Sequence, residues 1–546
     1  MSKSFKVLSF AILLVFVLGS FAGCAPKPAT PAAPAAPAAT EAPAAAAPAA
    51  TEAPAAATEA PAAVPAAEKV FTFGRLLDAF LPDPVMNDAN ADIWYMQQYY
   101  AGLVSTDMNA QIVPELAERW EVSADGLTYT YYLRPDLKFC NGDPITAEDW
   151  LWSLERARNP ENGIWGFTLE YVDTITADAE KVVFTLKEPY VPFQFSPALF
   201  NAVVMPKAQV EAAGGWENFM LKPCGAGPFV MTEWNKGSTM ILEKNPYYWD
   251  VENVKLDKIV LKYIQDDNAR VMALQAGEVD AINYPPFSRV DELAADPNIT
   301  VLKFPVGQIV QMIPNHRNAP LNDKNVRLAL NLAIDRKALL DNITFGMGVE
   351  ATNYRPVGTL YYNTDLEPYP FDPERAKELL VEAGYPDGFK ITMNHVAGRE
   401  LQMQYGTMIQ AMWADIGVEL ELIPLESGIN RQKYWDGEFE IYASGWTDDI
   451  PDPSQQTNYA VVYDNIQAYH TDYNNAEIQE LAKAALTELD PEKRKAMYFR
   501  IQQIVYDDAA FIPLWSEPLV VPTRNNVEGF EQSVLGIYLW KNLDVK

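Results

Sequence analysis

SADGLTYTYYLRPDLKFCNGDPITAEDW, residues 123–150, carries a strand and a helix start within one stretch. Thr128, Tyr129, Thr130, Tyr131, Tyr132 and Leu133 form an unbroken β-branched and aromatic run, the composition of a strand. Thr146 stands three residues before Asp149, a capping-box variant that opens a helix through Trp150, Leu154 and Ala157. The same two signals recur further along the chain. VVFTL at 182–186 reads as a second strand. Asp323 caps a helix with Val326, Ala329, Leu330 and Ala333 on one side. Asp372, Pro373 and Glu374 supply an N-cap, an N1 proline and an acidic first turn to a helix that stops at Gly384. Asp490, Pro491 and Glu492 repeat the device before a long helix to about Asp508. The order lacks the regular alternation of a barrel or an all-β sandwich, so the body is α/β with two or more lobes.

Composition narrows the class. The chain has 546 residues, room for about two to four domains and a sizeable core. It is 49% hydrophobic and 21% charged, which suits a soluble globular protein and excludes disordered, collagen-like and polytopic membrane chains. Its net charge of −31, from 42 basic and 73 acidic residues, disfavours nucleic acid and anionic head groups as partners. Three cysteines exclude a disulfide-dense scaffold and a Cys-rich zinc protein. His316, His395 and His470 are scattered, so no local histidine metal motif exists and no metal or cofactor is expected. No P-loop, dinucleotide fingerprint, nucleophile elbow or HExxH helix is present, so no catalytic residue is assigned.

The N-terminus reads as an address. Lys3 and Lys6 precede an apolar run from about Val7 to Ala22, too short to span a bilayer and long enough for a signal-peptide core. It ends in Leu18-Gly19-Ser20-Phe21-Ala22-Gly23-Cys24. Small residues directly before a cysteine are similar to the bacterial lipobox, which implies cleavage after residue 23 and acylation of Cys24; the alternative is a plain secretory signal with an incidental cysteine. Residues 24–67 follow as an Ala/Pro/Thr/Glu-rich stretch with no apolar face to bury, a disordered tether. Cys140 and Cys224 remain in the body. An even pair in an exported protein reads as a disulfide, with two buried, inert thiols as the alternative.

Seven segments, taken in order, resemble the family 5 extracellular solute-binding proteins of ABC importers, the dipeptide- and oligopeptide-binding group. They are the 123–150 stretch, GAGPFVMTEWNKGSTMILEKNPYYW (225–249), ALQAGEVDAI (273–282), PLNDKNVRLALNLAIDRKALL (320–340), DPERAKELLVEAGY (372–385), GWTDDIPDP (445–453) and FIPLW (511–515). The resemblance covers nearly all of residues 70–546. It implies a two-lobed periplasmic-binding-protein-like fold, type II and cluster C-like, closing on ligand like a hinged clamp. It places the first lobe at 68–311 plus 512–546, with an extra subdomain at about 113–225, and the second lobe at 312–511. A histidine usually stands where this chain has Cys140.

The resemblance also implies site residues. In peptide-binding relatives an aspartate of the Gly-Trp-x-x-Asp motif pairs with the ligand's α-ammonium; carried over, this is Asp449, with Gly445, Trp446 and Thr447 beside it. The other reading of Asp449 is a turn cap before Pro451. Asp448 reads as solvated surface charge, and Asp452 as a structural turn residue. Trp446 could stack on ligand or fill the lobe interface. Arg399 lies near the point where some relatives place a carboxylate-clamping arginine, although the spacing here is shorter. Trp94 and Tyr95, in DIWYMQQYY (92–100), fall where relatives contribute pocket wall; core packing is the alternative.

The function implied is a lipid-anchored, extracytoplasmic, monomeric binding protein that captures short peptides for an ABC permease and its ATPase. One alternative keeps the role with an oligosaccharide, opine-like or metal-chelate cargo. A remote one is a secreted hydrolase.

Overall fold

The computed structural model describes residues 68–79, 82–87, 90–159, 161 and 165–546. The expected signal peptide, Cys24 and the 24–67 tether lie outside the described residues.

Local signals do what their chemistry requires. The helix Ala147–Arg158 opens on a complete capping box: Thr146 Oγ1 accepts from the Asp149 amide at 3.2 Å, and Asp149 Oδ2 accepts from the Thr146 amide at 2.9 Å. It buries Trp150, Leu154 and Ala157. Asp323 caps Lys324–Leu332, Asp372 caps Pro373–Glu382, and Asp490 caps Pro491–Asp507. Each such cap contributes about 1 kcal/mol. Gly384, past the end of Pro373–Glu382, has φ 91°, a conformation glycine alone adopts cheaply.

Thr128–Leu133 is a strand of a four-stranded antiparallel sheet ordered Ala117–Val122, Thr128–Leu133, Lys181–Leu186, Val172–Ala177. Period-two alternation sends Tyr129, Tyr131, Val182 and Phe184 to one buried face. There Phe193 meets Tyr129 at 4.7 Å and Phe184 at 5.3 Å between ring centroids. Cys140 and Cys224 are disulfide-bonded, with Cα atoms 5.3 Å apart.

Among the described residues the main sheet has eleven strands. Two of them organise it. Ile299–Pro314 has 16 residues and Ile512–Arg524 has 13, against a usual strand of about 5–6. They pair antiparallel from Ile299 opposite Arg524 to Met312 opposite Ile512, with register shifts between Phe304 and Gln308 and between Val310 and Gln311. Their 299 and 524 ends lie beside Ala281–Ile282, Val70–Arg75 and Lys258–Tyr263. Their other ends lie beside Ile441–Thr447, Phe389–Val396 and Val418–Leu425.

Separate cores sit at the two ends, which is why the body has lobes. Phe71, Phe73, Ile259, Leu261, Phe530, Tyr538 and Trp540 belong to the first core. Met312, Leu330, Ile391, Trp413, Leu420, Ile441 and Trp515 belong to the second. A helical core around Ile313, Tyr354, Tyr498, Ile501 and Phe511 adjoins the second. The lobes touch. Ile450, from the loop after Ile441–Thr447, packs with the first core, and the Trp165 and Tyr459 rings lie 6.5 Å apart. Among the described residues no helix is long and apolar enough to cross a membrane.

Candidate functional site

The site lies where the two long strands pass between the lobes. Ile441–Thr447 pairs with the first long strand so that Thr447 faces Gln308, Trp446 faces Ile309 and Gly445 faces Val310. On the other side of that strand, Gln308 faces Glu517, Ile309 faces Ser516 and Val310 faces Trp515. Gly445 is exposed, Trp446 half-buried and Thr447 buried.

The chain then turns through Asp448, Asp449 and Asp452, and their environments differ. Asp452 is buried and takes two hydrogen bonds from Arg494, at 2.7 and 2.8 Å, while its Oδ1 accepts from the Ser454 amide that opens Ser454–Ala460. Asp448 corrects the expectation of a solvated charge. It is 3% exposed, accepts from Trp446 Nε1 at 2.7 Å and pairs with the fully buried Arg355 at 3.3 Å. Burial raises its carboxyl, and Arg355 opposes the rise. The physical reason for both pairings is the same: a carboxylate taken out of water is held by a guanidinium that meets its geometry.

Asp449 has no such partner among the described residues. Its amide donates to Gln455 Oε1 at 2.8 Å, and its Oδ2 accepts from Gln455 Nε2 at 2.7 Å. Desolvation pushes its carboxyl up to about 7; the Gln455 hydrogen bond pulls it down and Asp448 adds to the rise. The turn therefore holds two neutralised carboxylates and one that is fixed, desolvated and without a cation.

Arg399 is exposed at the start of the helix Glu400–Ala414. Its charge reaches Tyr405 and Tyr442 in the second lobe and Tyr284 in the first. Trp94 and Tyr95 are 3% and 0% exposed. Trp94 packs edge-on against Tyr538 at 5.7 Å, and the Tyr95 hydroxyl donates to Asp92 Oδ1 at 3.0 Å. Both belong to the first core, together with Phe71, Phe73 and Tyr538. Trp446 packs against Tyr459 at 5.2 Å and Tyr469 at 6.0 Å. Among the described residues no three His, Cys, Asp or Glu side chains are grouped to hold a metal ion.

A further carboxylate stands two residues past the FIPLW segment. Glu517, 8% exposed, accepts one hydrogen bond from Trp515 Nε1 at 2.9 Å. Burial pushes its carboxyl up to about 7, against the Trp515 hydrogen bond. The available signal was a single acid in the apolar run FIPLWSEPLVV.

The family model for bacterial extracellular solute-binding proteins, family 5 (middle), matches residues 111–468. The dipeptide-binding protein of Escherichia coli K12 is 28% identical over 467 residues, covering 80% of this chain and 86% of that one. A solved Helicobacter pylori periplasmic binding protein, in complex with the peptide STSA, matches with TM-score 0.78 and 28% identity over 87% of this chain and 98% of that one. A binding protein from A. tumefaciens R10, in complex with agropinic acid, matches with TM-score 0.78 and 26% identity over 87% and 99%. The fold is thus the two-lobed, mixed α/β fold of periplasmic binding proteins.

Proposed function

The chain belongs to the family 5 bacterial extracellular solute-binding proteins, which serve ABC transporters rather than catalyse reactions, and from that premise we propose that it captures short peptides between its lobes. Asp449 receives the peptide α-ammonium. The observation that carries this reading is the contrast along one turn: Asp448 and Asp452 are each paired with an arginine, whereas among the described residues the Asp449 carboxylate has only the side-chain amide of Gln455. A desolvated carboxylate without a cation is costly, and an ammonium relieves that cost through a charge-assisted hydrogen bond. Arg399, exposed and within charge reach of both lobes, is positioned to meet a ligand carboxylate. Gly445, Trp446 and Thr447 form the adjoining wall.

The lobes comprise about 68–311 plus 512–546 and 312–511, with the two long strands as the crossings. Ligand closes them only by preferring the closed state. Acylated Cys24 and the following tether hold the monomeric body at the outer face of a membrane, where it hands cargo to a permease and its ATPase.

A second reading keeps the role and changes the cargo to an opine-like acid. It is favoured by the relative in complex with agropinic acid and by the exposed Arg399. A thermal-shift panel separates the two, since a ligand that binds the native state raises the melting temperature. Stabilisation by di- and tripeptides is expected. Stabilisation by opine acids alone would overturn the peptide reading.

A further inference from the structure

The strand Ile512–Arg524 is buried along almost its whole length, yet it carries Glu517 at its centre. Among the described residues the Glu517 carboxylate has a single neutral hydrogen-bond donor, Trp515 Nε1 at 2.9 Å, and no lysine or arginine beside it. Register brings it beside the turn that carries Asp449. Glu517 faces Gln308, and Gln308 faces Thr447, two residues before Asp449. Two strand spacings separate Thr447 from Glu517, about 10 Å, and residues in cross-strand register share a face of the sheet. Between them the buried Gln308 Oε1 has no hydrogen-bond partner. From the first lobe, the Tyr284 hydroxyl is raised by burial, pulled back by Arg399 and pushed further by Glu517, so the same tyrosine lies within charge reach of both.

A buried carboxylate with one indole donor is poorly compensated, and a cation completes it. The net charge of −31 draws cationic solutes towards the body as a whole. We propose that Glu517 forms a second cation subsite in the cleft, and that the preferred cargo is a short peptide carrying a lysine or arginine side chain near its α-ammonium. This rests on the peptide reading of Asp449 and adds to it: Asp449 takes the terminus that all peptides share, and Glu517 takes the side chain that selects among them.

The test is calorimetry with Lys-Ala, Ala-Lys and the two counterparts in which norleucine replaces lysine. A charge-assisted hydrogen bond makes the lysine form of one pair bind about tenfold or more tightly than its norleucine form at about pH 7.5. Glu517→Gln keeps an acceptor oxygen for Trp515 and brings that ratio to about one. A second measurement needs no variant. Glu517 takes up a proton as pH falls below about 7, so the wild-type ratio shrinks towards about one by about pH 5.5. Asp449 acts on both peptides of a pair and cancels from the ratio. Among the described residues, the groups facing Glu517 are Gln308 and Trp515, which do not titrate, Tyr284, whose hydroxyl stays protonated, and Glu350, opposite Trp515 on the neighbouring strand. A wild-type ratio near one, or a ratio unchanged in Glu517→Gln, would overturn the subsite while leaving Asp449 its role. Failure of all four dipeptides to bind would overturn the peptide reading and the subsite together.

Discussion

Gln455 grips Asp449 from both sides: its Oε1 accepts from the Asp449 amide at 2.8 Å, and its Nε2 donates to Asp449 Oδ2 at 2.7 Å. The same Gln455 Oε1 also accepts from the Ile450 N–H at 3.3 Å, so one side chain fixes both the carboxylate and the backbone that presents it. Gln455 is therefore a positioning residue for the proposed ammonium site. Gln455→Ala is expected to weaken peptide binding by about 1.5–3 kcal/mol, the worth of a hydrogen bond to a charged group. Calorimetry measures it. Gln455→Glu should weaken binding further in spite of its added charge, because it replaces the donor with a like-charged neighbour.

Asp452 and Arg494 behave differently. Both are buried and joined by two hydrogen bonds, and Arg494 also donates to the Ala485 carbonyl at 2.7 Å. Arg494→Ala leaves an unpaired buried carboxylate and is expected to cost about 3–5 kcal/mol of stability. Denaturant unfolding should show that loss. The double replacement Asp452→Asn with Arg494→Met should recover part of it, since no buried charge remains.

The pH dependence has a definite sign. The raised carboxyl of Asp449, at about 7 when folded, contributes stability that is fully present below about pH 4, its unfolded value, and is lost as pH rises through about 7. Glu517, also at about 7, acts the same way. The empty protein should therefore melt at a lower temperature at about pH 8 than at about pH 5 by these two contributions. Peptide affinity should move in the opposite direction, rising through about pH 7 as the carboxylate ionises, then falling above about pH 8 as the peptide amine loses its proton. Calorimetry across that range checks it, and Asp449→Asn should flatten the rising limb.

The Cys140–Cys224 bridge closes a segment of 84 residues, worth up to about 4–5 kcal/mol in the chain-entropy model. Both cysteines pack against the first core, so the bridge stiffens that lobe without spanning the two long strands. Reduction, or the Cys140→Ala/Cys224→Ala pair, should lower the melting temperature while peptide affinity changes by less than about twofold.

The capping boxes and Asp-Pro helix starts were legible because their partners lie within three residues, as with Thr146 and Asp149. The fates of the turn carboxylates were not. Asp448 depends on Arg355, 93 residues away, and Asp452 on Arg494, 42 residues away; no local pattern announces such pairs. Asp448 was misread as solvated for that reason. Trp94 and Tyr95 show a related limit: an aromatic stripe has the same spacing whether it lines a cleft or fills a core, and here both rings are buried. Glu517 went unread because its neighbours make a strand of unremarkable apolar composition, and only the register reveals that it stands across Gln308 from the Asp449 turn.

The most direct test of Asp449 as the ammonium receptor is calorimetry of trialanine against wild-type protein and Asp449→Asn, with N-acetyl-trialanine as the control ligand. The account predicts that wild type binds free trialanine and loses about 2–5 kcal/mol when either the carboxylate or the ammonium is removed, with little further loss when both are. Equal affinity of wild type and Asp449→Asn for free trialanine, or undiminished binding of the acetylated peptide, would contradict it.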